Sequence, residues 1–451
     1  MAAPELKSKT LDWFDERTGW RIARDMMDHK VVPLHAGTAW YYFGGITLFL
    51  AGIQLGTGIL LMLYYRPTVA EAFDSVRFIM TRVEFGWLIR SIHSWSANLL
   101  IFAAFVHMFS VVFTRAYRRP RELTWLSGIA LLGLMLGFGF SGYLLPWNQI
   151  SYFATKVGTD VAGSMPFAGP AIARFLRGGE DVGGATLTRF FDFHVIVLPL
   201  ITFSLIGFHL LMVQKHGMST PAHLAPSKLG KMKFFPNFFL RELMVWYGVL
   251  AVLGTLAAVF PWELGEKADP FASAPAGIRP EWYFLAQFYT LKLIPSHVWI
   301  FEGEILGLLG FGALAVIWVL LPFWEARPDG SNRTRLATGA GIFLIAYLIT
   351  FTYLGYVNES ALDVHLPLLE SERGRSAGFL HHLPRRARRV RQRPRIADQK
   401  RRPLRPRLEL RRLPRRRPHQ YGSRRGHEQG QGLQRQAGPR GHPQILCHLP
   451  Q

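Results

Sequence analysis

Hydrophobic and polar positions in this chain alternate in long blocks. Seven apolar blocks stand out, at roughly Trp40–Tyr64, Ile89–Phe113, Trp125–Leu145, Phe191–Val213, Leu243–Pro261, Ile305–Phe323 and Ala337–Val357. A helix needs about 20 apolar residues to cross a bilayer, and every block is near that length. The pattern predicts an all-α, polytopic membrane protein, with a four-helix bundle from the first four blocks and three further transmembrane helices. Ahead of them, Trp13, Phe14, Trp20, Ile22, Met26 and Met27 interleave with Asp12, Asp15, Glu16, Arg17, Arg21 and Arg24. That mixture suits a helix lying at the membrane interface. The expected division is 1–38 for this interfacial segment, 39–225 for the four-helix part, 226–360 for the three-helix part and 361–451 for a tail.

The connections between the blocks differ in charge. The N-terminal segment, the second connection (Arg115, Arg118, Arg119, Arg121), the fourth (Lys215, Lys228, Lys231, Lys233) and the sixth (Arg327, Arg333, Arg335) are basic. Seven crossings put all of them on one side, which the distribution of Lys and Arg makes the cytoplasm. The N-terminus is then cytoplasmic. The other three connections face outward and are longer, so a site is expected on that face.

Composition changes the picture at one place. The chain has 451 residues and a formal net charge of +22, yet 23 of its 52 Lys and Arg follow Glu372, against three acids. The tail thus holds most of the charge, and the body is near neutral. With no helical or strand period, the tail is expected to be disordered. It reads as an arm for an anionic partner, a contact for anionic lipid, a solvated linker, or an out-of-frame translation of GC-rich codons. The last is favoured, because so much positive charge is unusual on the outer side. The one cysteine is Cys447, so disulfide, CxxC and CxxCH chemistry are not expected. The first ~35 residues lack the apolar core of a cleavable signal.

Candidate chemistry lies in the second and fourth blocks. His93 and His107 are fourteen residues apart, and His194 and His209 fifteen. Either spacing is about four helical turns, or about 21–22 Å along the axis, with both rings roughly on one face. A lone apolar-face histidine is usually a packed residue. Ionisable groups inside a membrane are costly and tend to be functional, and four in two matched pairs point to bis-imidazole haem ligation. Zinc fits less well, since neither Cys nor carboxylate joins the set.

The first and third blocks repeat the interval. Gly44 and Gly58, and likewise Gly128 and Gly142, are fourteen apart. Glycine lets a flat ring approach a helix closely, although small-residue helix packing also uses it. Arg90, three residues before His93, and Arg121, on the opposite side, are candidate partners for haem propionates; snorkelling to the interface is the plainer alternative.

These residues carry a resemblance. Gly44-Gly45-Ile46-Thr47, Tyr64-Tyr65-Arg66-Pro67-Thr68, Phe85-Gly86-Trp87-Leu88-Ile89-Arg90-Ser91, Pro120-Arg121-Glu122-Leu123-Thr124-Trp125, Gly142-Tyr143-Leu144-Leu145-Pro146-Trp147 and Thr186-Leu187-Thr188-Arg189-Phe190 stand in the order found in the cytochrome b subunit of cytochrome bc complexes. Over about residues 10–357 the chain resembles the b6f-type and related bacterial branch, whose fifteen-residue histidine interval it shares. The resemblance implies parallel second and fourth helices, an outer haem on His93 and His194, and an inner haem on His107 and His209. Both are b-type and non-covalent. It also implies fusion of two parts that are separate chains in the b6f type, joined around residues 215–240.

The fifth connection holds Pro280-Glu281-Trp282-Tyr283, similar to the family's quinol-oxidation motif, after a matching Ala268-Asp269-Pro270-Phe271. Oxidising a hydroquinone releases two protons, so a base must sit near the ring. Glu281 is the expected base, Tyr283 a hydrogen-bonding wall, and Gly142–Gln149 the opposite wall. A helix start, with Pro280 at its first position, accounts for the same four residues structurally.

Some positions depart from the family. The b6f type has a haem-binding cysteine just before the paired glycines; Tyr42 and Phe43 stand there, so covalent haem is not expected. Gln214 replaces a frequent arginine, and Ser94 and Ser110 replace basic residues. Asp25, His29, Lys30 and Lys215 are candidates for the inner quinone site.

The expected function is the di-haem subunit of a quinol:cytochrome c oxidoreductase, or one with a similar acceptor. Quinol would be oxidised on the outer side and protons translocated in a Q-cycle. A Rieske-type iron–sulfur protein and a c-type cytochrome would be partners, in a homodimeric complex of a bacterial inner membrane. No nucleic-acid partner is expected. The alternative is a di-haem anchor that relays electrons between quinone and a partner dehydrogenase.

Overall fold

The computed structural model describes residues 3–19, 21, 29–220, 229–275, 277–325 and 334–379. Expectations placed on Trp20, Ile22, Arg24, Asp25, Met26, Met27, Lys228, Arg327, Arg333 and the tail beyond residue 379 lie outside them.

Among the described residues six helical stretches are long and apolar enough to cross a membrane: Thr38–Met62, Gly86–Thr114, Glu122–Leu144, Gly184–His216, Phe234–Val259 and Leu336–Asn358. They contain α2 (Tyr42–Met62), α4 (Gly86–Thr114), α5 (Glu122–Leu144), α8 (Gly184–Asp192) continuing into α9 (Leu198–His216), α10 (Phe239–Val259), and the apolar part of α14 (Thr334–Phe379). The sixth block of the sequence forms α12 (Gly303–Val319), apolar but only seventeen residues long. It stops because Pro322, lacking an N–H, cannot bond the Trp318 carbonyl. A short α13 (Leu321–Glu325) follows. The remaining helices are α1 (Ala3–Thr18) in the interfacial segment, α3 (Ala72–Arg82), α6 (Gln149–Gly163) and α7 (Gly169–Arg177) in the outer connections, and α11 (Trp282–Leu293).

Local chemistry sets two joints that matter for the site. Phe85 takes a left-handed backbone (φ 56°) just before α4, and a Cβ on Gly86 would lie 2.0 Å from the Ile79 carbonyl oxygen. Only glycine lets α4 start this close to α3. Between α8 and α9 the helix opens into a π-turn, Phe193–Val197, which contains His194. Pro199 supplies no N–H there, so the hydrogen-bond ladder is already broken and the wider turn absorbs the extra residue.

In the first half α2 packs along α4 and α5 along α9, with α4 against α5. In the second half α10 packs on α4 and α2, and α11 on α14. Only 6% of the most apolar window of Gly184–His216 is buried, so its outward face calls for lipid or another apolar surface.

The connections gather at two ends. At the basic end a two-stranded antiparallel sheet pairs β1 (Val31–Leu34) with β2 (Gly230–Lys233), Val31 opposite Lys233. Val32, Met232 and Phe238 make a small buried cluster under it. This ties the N-terminal segment to the stretch that joins the two halves. Tyr41 Oη donates to the Ser219 carbonyl (2.5 Å), and Trp125 Nε1 to the Val319 carbonyl (3.0 Å). At the other end, here the loop end, Ala72, Phe73, Val76, Leu144, Trp147, Tyr152, Leu187 and Phe190 form one core. Lys267 pairs with Asp74 (2.8 Å) and Ser164 donates to Glu304 (2.8 Å). α12 begins beside Ser164 and ends beside Trp125, so it runs between the two ends although it is shorter than the six long apolar helices.

Candidate functional site

The four histidines meet in two pairs across the gap between α4 and the α8–α9 stretch. His93 faces His194, with ring centroids 6.4 Å apart and planes at 70°. Two imidazoles each about 2 Å from a shared metal would have centroids about 6 Å apart. His107 and His209 are likewise close enough to interact. His93 with His194 and His107 with His209 requires α4 and the second histidine helix to run parallel.

Each ring also lies on a glycine. An added Cβ would sit 3.3 Å from His107 at Gly44, 3.4 Å from His93 at Gly58, 3.3 Å from His209 at Gly128 and 2.6 Å from His194 at Gly142. All four glycines singled out by their interval therefore face a histidine, and α2 and α5 run antiparallel to α4 and α9. No group of three or more His, Cys, Asp or Glu suited to a metal ion occurs among the described residues. Paired imidazoles flanked by glycines fit a flat macrocycle better than a tetrahedral metal.

The outer pair opens into a cavity of about 330 Å³. Gly58, Arg90, His93, Gly142, His194, Glu281 and Tyr283 all line it, so the histidine pair and the Pro280–Tyr283 motif share one space. α11 starts at Trp282, and Glu281 precedes it as the N-cap without making a capping bond. Pro280 therefore stands before the helix, not at its first position, and the carboxylate stays available to the cavity. Burial raises the Glu281 pKa. Burial, then the neighbouring Glu281 and Tyr143, raise that of Tyr283. Trp282 Nε1 donates to Asn98 Oδ1 (2.8 Å), which pins the motif to α4.

The expected opposite wall is stitched to the connection that carries the motif. Asn148 Nδ2 donates to the Leu264 carbonyl (2.7 Å), the Gln149 N–H to Glu266 (2.9 Å) and the Ala268 N–H to Trp147 (3.1 Å). Gly142, Tyr143, Pro146 and Asn148 line the cavity. Arg90 is buried, and its guanidinium donates to the Trp262 (2.5 Å) and Glu263 (3.2 Å) carbonyls. It thus holds the loop as well as facing the cavity, a role its place beside His93 did not reveal.

At the basic end Arg121 donates to the His216 carbonyl (3.0 Å), and its Nε is buried with no hydrogen-bond partner. That Nε is a buried donor left open within the chain. Lys30 hydrogen-bonds Gln214 and lines a shallow pocket of about 350 Å³ with Leu210, Leu211 and Val213. Burial lowers the Lys30 pKa. His29 and Lys215 are exposed and do not line that pocket.

Two residues went unnoticed in the sequence. Glu242, half-buried at the start of α10, places its carboxylate where a Cβ of Gly45 would be, next to the Gly44–His107 contact. An acid at the rim of an apolar block was the available signal. Gly139 lies under the Tyr283 hydroxyl, which an added Cβ would meet at 2.3 Å. Its signal was lost among the many glycines of that helix.

Known proteins match this geometry. The family model described as Cytochrome b/b6/petB matches residues 28–217. That described as Cytochrome b(C-terminal)/b6/petD matches residues 267–371, one residue short of Glu372 and eleven beyond the expected boundary at 360. A cytochrome bc complex cytochrome b subunit of Chlorobaculum thiosulfatiphilum is 46% identical over 355 residues, 78% of this chain and 81% of that protein. Cytochrome b6 of Gloeobacter violaceus is 47% identical over 214 residues, 48% of this chain and 99% of that protein. A solved structure described as hyperthermophilic respiratory Complex III superposes with a TM-score of 0.67 at 33% identity, covering 77% of this chain and 91% of that one. The chain belongs to the cytochrome b family, as a cytochrome b subunit of a bc-type quinol oxidoreductase complex.

Proposed function

We propose that this subunit oxidises quinol at the loop end and reduces quinone at the basic end, translocating protons in a Q-cycle. One observation carries the reading: the cavity that holds the His93–His194 pair also holds Glu281 and Tyr283.

His93 with His194 would hold an outer b-type haem, and His107 with His209 an inner one, both non-covalently. Arg90 and Arg121 would face their propionates. Bound haem supplies a one-electron path between the two ends. The remaining steps belong to the protein. Glu281 accepts a proton from the quinol hydroxyl, which its raised pKa suits, since a base works best near the ambient pH. Tyr283, held down on Gly139, walls the ring, and Trp282 fixes the motif against Asn98. The stitched Leu145–Asn148 segment keeps the opposite wall rigid and limits water. Quinol gives up two protons and two electrons, one electron leaving to an iron–sulfur partner outside this chain. At the basic end Lys30 and the Glu242 carboxyl would hand protons to a reduced quinone. A Rieske-type protein, a c-type cytochrome or equivalent acceptor, and a second copy of the complex complete the assembly. The basic end faces the cytoplasm of a bacterial cell.

The test is Glu281→Gln in the purified complex. Quinol oxidation should slow while both haem spectra stay intact; unchanged turnover would remove the assignment.

A further inference from the structure

Three of the four paired histidines share a kind of partner, and its sequence position repeats. Thr57 Oγ1 lies 2.9 Å from His93 Nδ1, Ser127 Oγ 2.9 Å from His209 Nδ1, and Ser141 Oγ 3.0 Å from His194 Nδ1. Each hydroxyl residue immediately precedes the glycine on which the same ring lies: Gly58, Gly128 and Gly142. The fourth glycine, Gly44, follows Phe43 instead, and His107 Nδ1 is buried without a hydrogen-bond partner.

The hydroxyls' own helices favour one direction for these bonds. Thr57 donates to the Ile53 carbonyl (2.7 Å), Ser127 to Thr124 (3.0 Å) and Ser141 to Phe138 (3.3 Å). A hydroxyl has one proton to give. With that proton on a carbonyl, its oxygen accepts from the ring. Each Nδ1 therefore carries hydrogen and each Nε2 keeps its lone pair. This is the tautomer that a metal-binding Nε2 requires.

We propose that Thr57, Ser127 and Ser141 are positioning residues that fix the tautomer and basicity of three axial histidines. His107 is built without such a partner, so the inner pair is electronically uneven while the outer pair is not. This rests on the haem reading above. An acceptor on Nδ1–H pushes electron density toward Nε2, which favours ferric over ferrous iron. Losing the acceptor raises the potential, and adding one at position 43 lowers it.

The experiment is a redox titration of both haems in the purified complex, with electron paramagnetic resonance g-values and haem content. Thr57→Val replaces the hydroxyl with a methyl of similar size; Thr57→Ser keeps the hydroxyl. Thr57→Val should shift the outer haem's oxidised-to-reduced ratio about tenfold, which is about 59 mV upward for one electron. Thr57→Ser should titrate like the parent, and Phe43→Ser should lower the inner haem alone. If Thr57→Val loses the outer haem, its retention in Thr57→Ser still assigns the role to the hydroxyl. Matching potentials and g-values in the Val and Ser variants overturn the proposal, and an unmoved inner haem in Phe43→Ser overturns its claim on His107. His93→Ala tests the haem reading separately: two haems retained there would sink that reading whatever Thr57 does.

Discussion

The two ends of the molecule are finished differently. At the loop end the polar groups around the outer histidine pair are mostly satisfied within the chain: Arg90 by Trp262 and Glu263, Trp95 by Phe260, Asn148 by Leu264. The exception, Thr202 Oγ1, is buried without a partner and belongs to a residue lining the cavity. At the basic end His107 Nδ1, Arg121 Nε, Thr124 Oγ1 and His216 Nδ1 are all buried and unpartnered. Buried polar groups in proteins are rarely left unpaired. The loop end thus satisfies most of its polar groups within the chain. The basic end leaves several polar atoms without a partner inside the chain.

The largest expected effect tests whether the two ends hold equivalent centres at all. His107→Ala should lower haem content from two per chain to one, and so should His93→Ala, measured by haem extraction against protein. Retention of both haems in either variant would break the pairing across α4 and α9.

Next is the carboxylate proposed as the base for quinol, which lines the loop-end cavity. Glu281→Gln should cut quinol oxidation by about 10²–10⁴, the usual worth of a positioned acid or base. The carboxylate must be unprotonated to accept a proton, so the parent rate should rise with pH through the Glu281 pKa. Burial puts that inflection above the ordinary carboxylate value. The limb should vanish in the Gln variant. An inflection unmoved by the substitution would assign it to another group.

What was legible in the sequence follows the same division. The histidine and glycine intervals are periodic within single helices, so the spacing of residues fourteen or fifteen apart exposed both pairs and all four flanking glycines. Six of the seven apolar blocks became helices long enough to cross a membrane, and the sixth became a shorter apolar helix that ends before Pro322. The contacts that close the loop end were not legible. Arg90 reaches carbonyls 172 and 173 residues away, and Trp282 an asparagine 184 residues away. No local period encodes such partners. Glu242 beside Gly45 was hidden for the same reason, and the hydroxyl before each glycine has meaning only once the ring above it is placed.

A third prediction separates the two outer glycines. At Gly142 a Cβ would meet His194 Cε1 at 2.6 Å, whereas at Gly58 it would lie 3.4 Å from His93. Gly142→Ala should therefore tilt the ligand and weaken outer haem binding, with an overpacking cost of about 1–3 kcal/mol. Gly58→Ala should be nearly neutral. Thermal release of haem followed by absorbance ranks them, and equal midpoints would show that His194 moves freely.

The smallest expected effect contrasts the two arginines. Arg121 is always charged, and its Nε has no partner within the chain. Removing that charge in Arg121→Gln takes away a group that favours the reduced, less positive iron. The inner haem's potential should fall, by about 59 mV if the oxidised-to-reduced ratio shifts tenfold, with the fold intact. Arg90 spends its donors on the Trp262 and Glu263 carbonyls, so Arg90→Gln should loosen the loop end and slow quinol oxidation as well as lower the outer potential. Redox titration paired with turnover distinguishes the two. If Arg121→Gln instead slows turnover while the inner potential stays put, its open Nε serves the quinone pocket near Lys30 and not the haem.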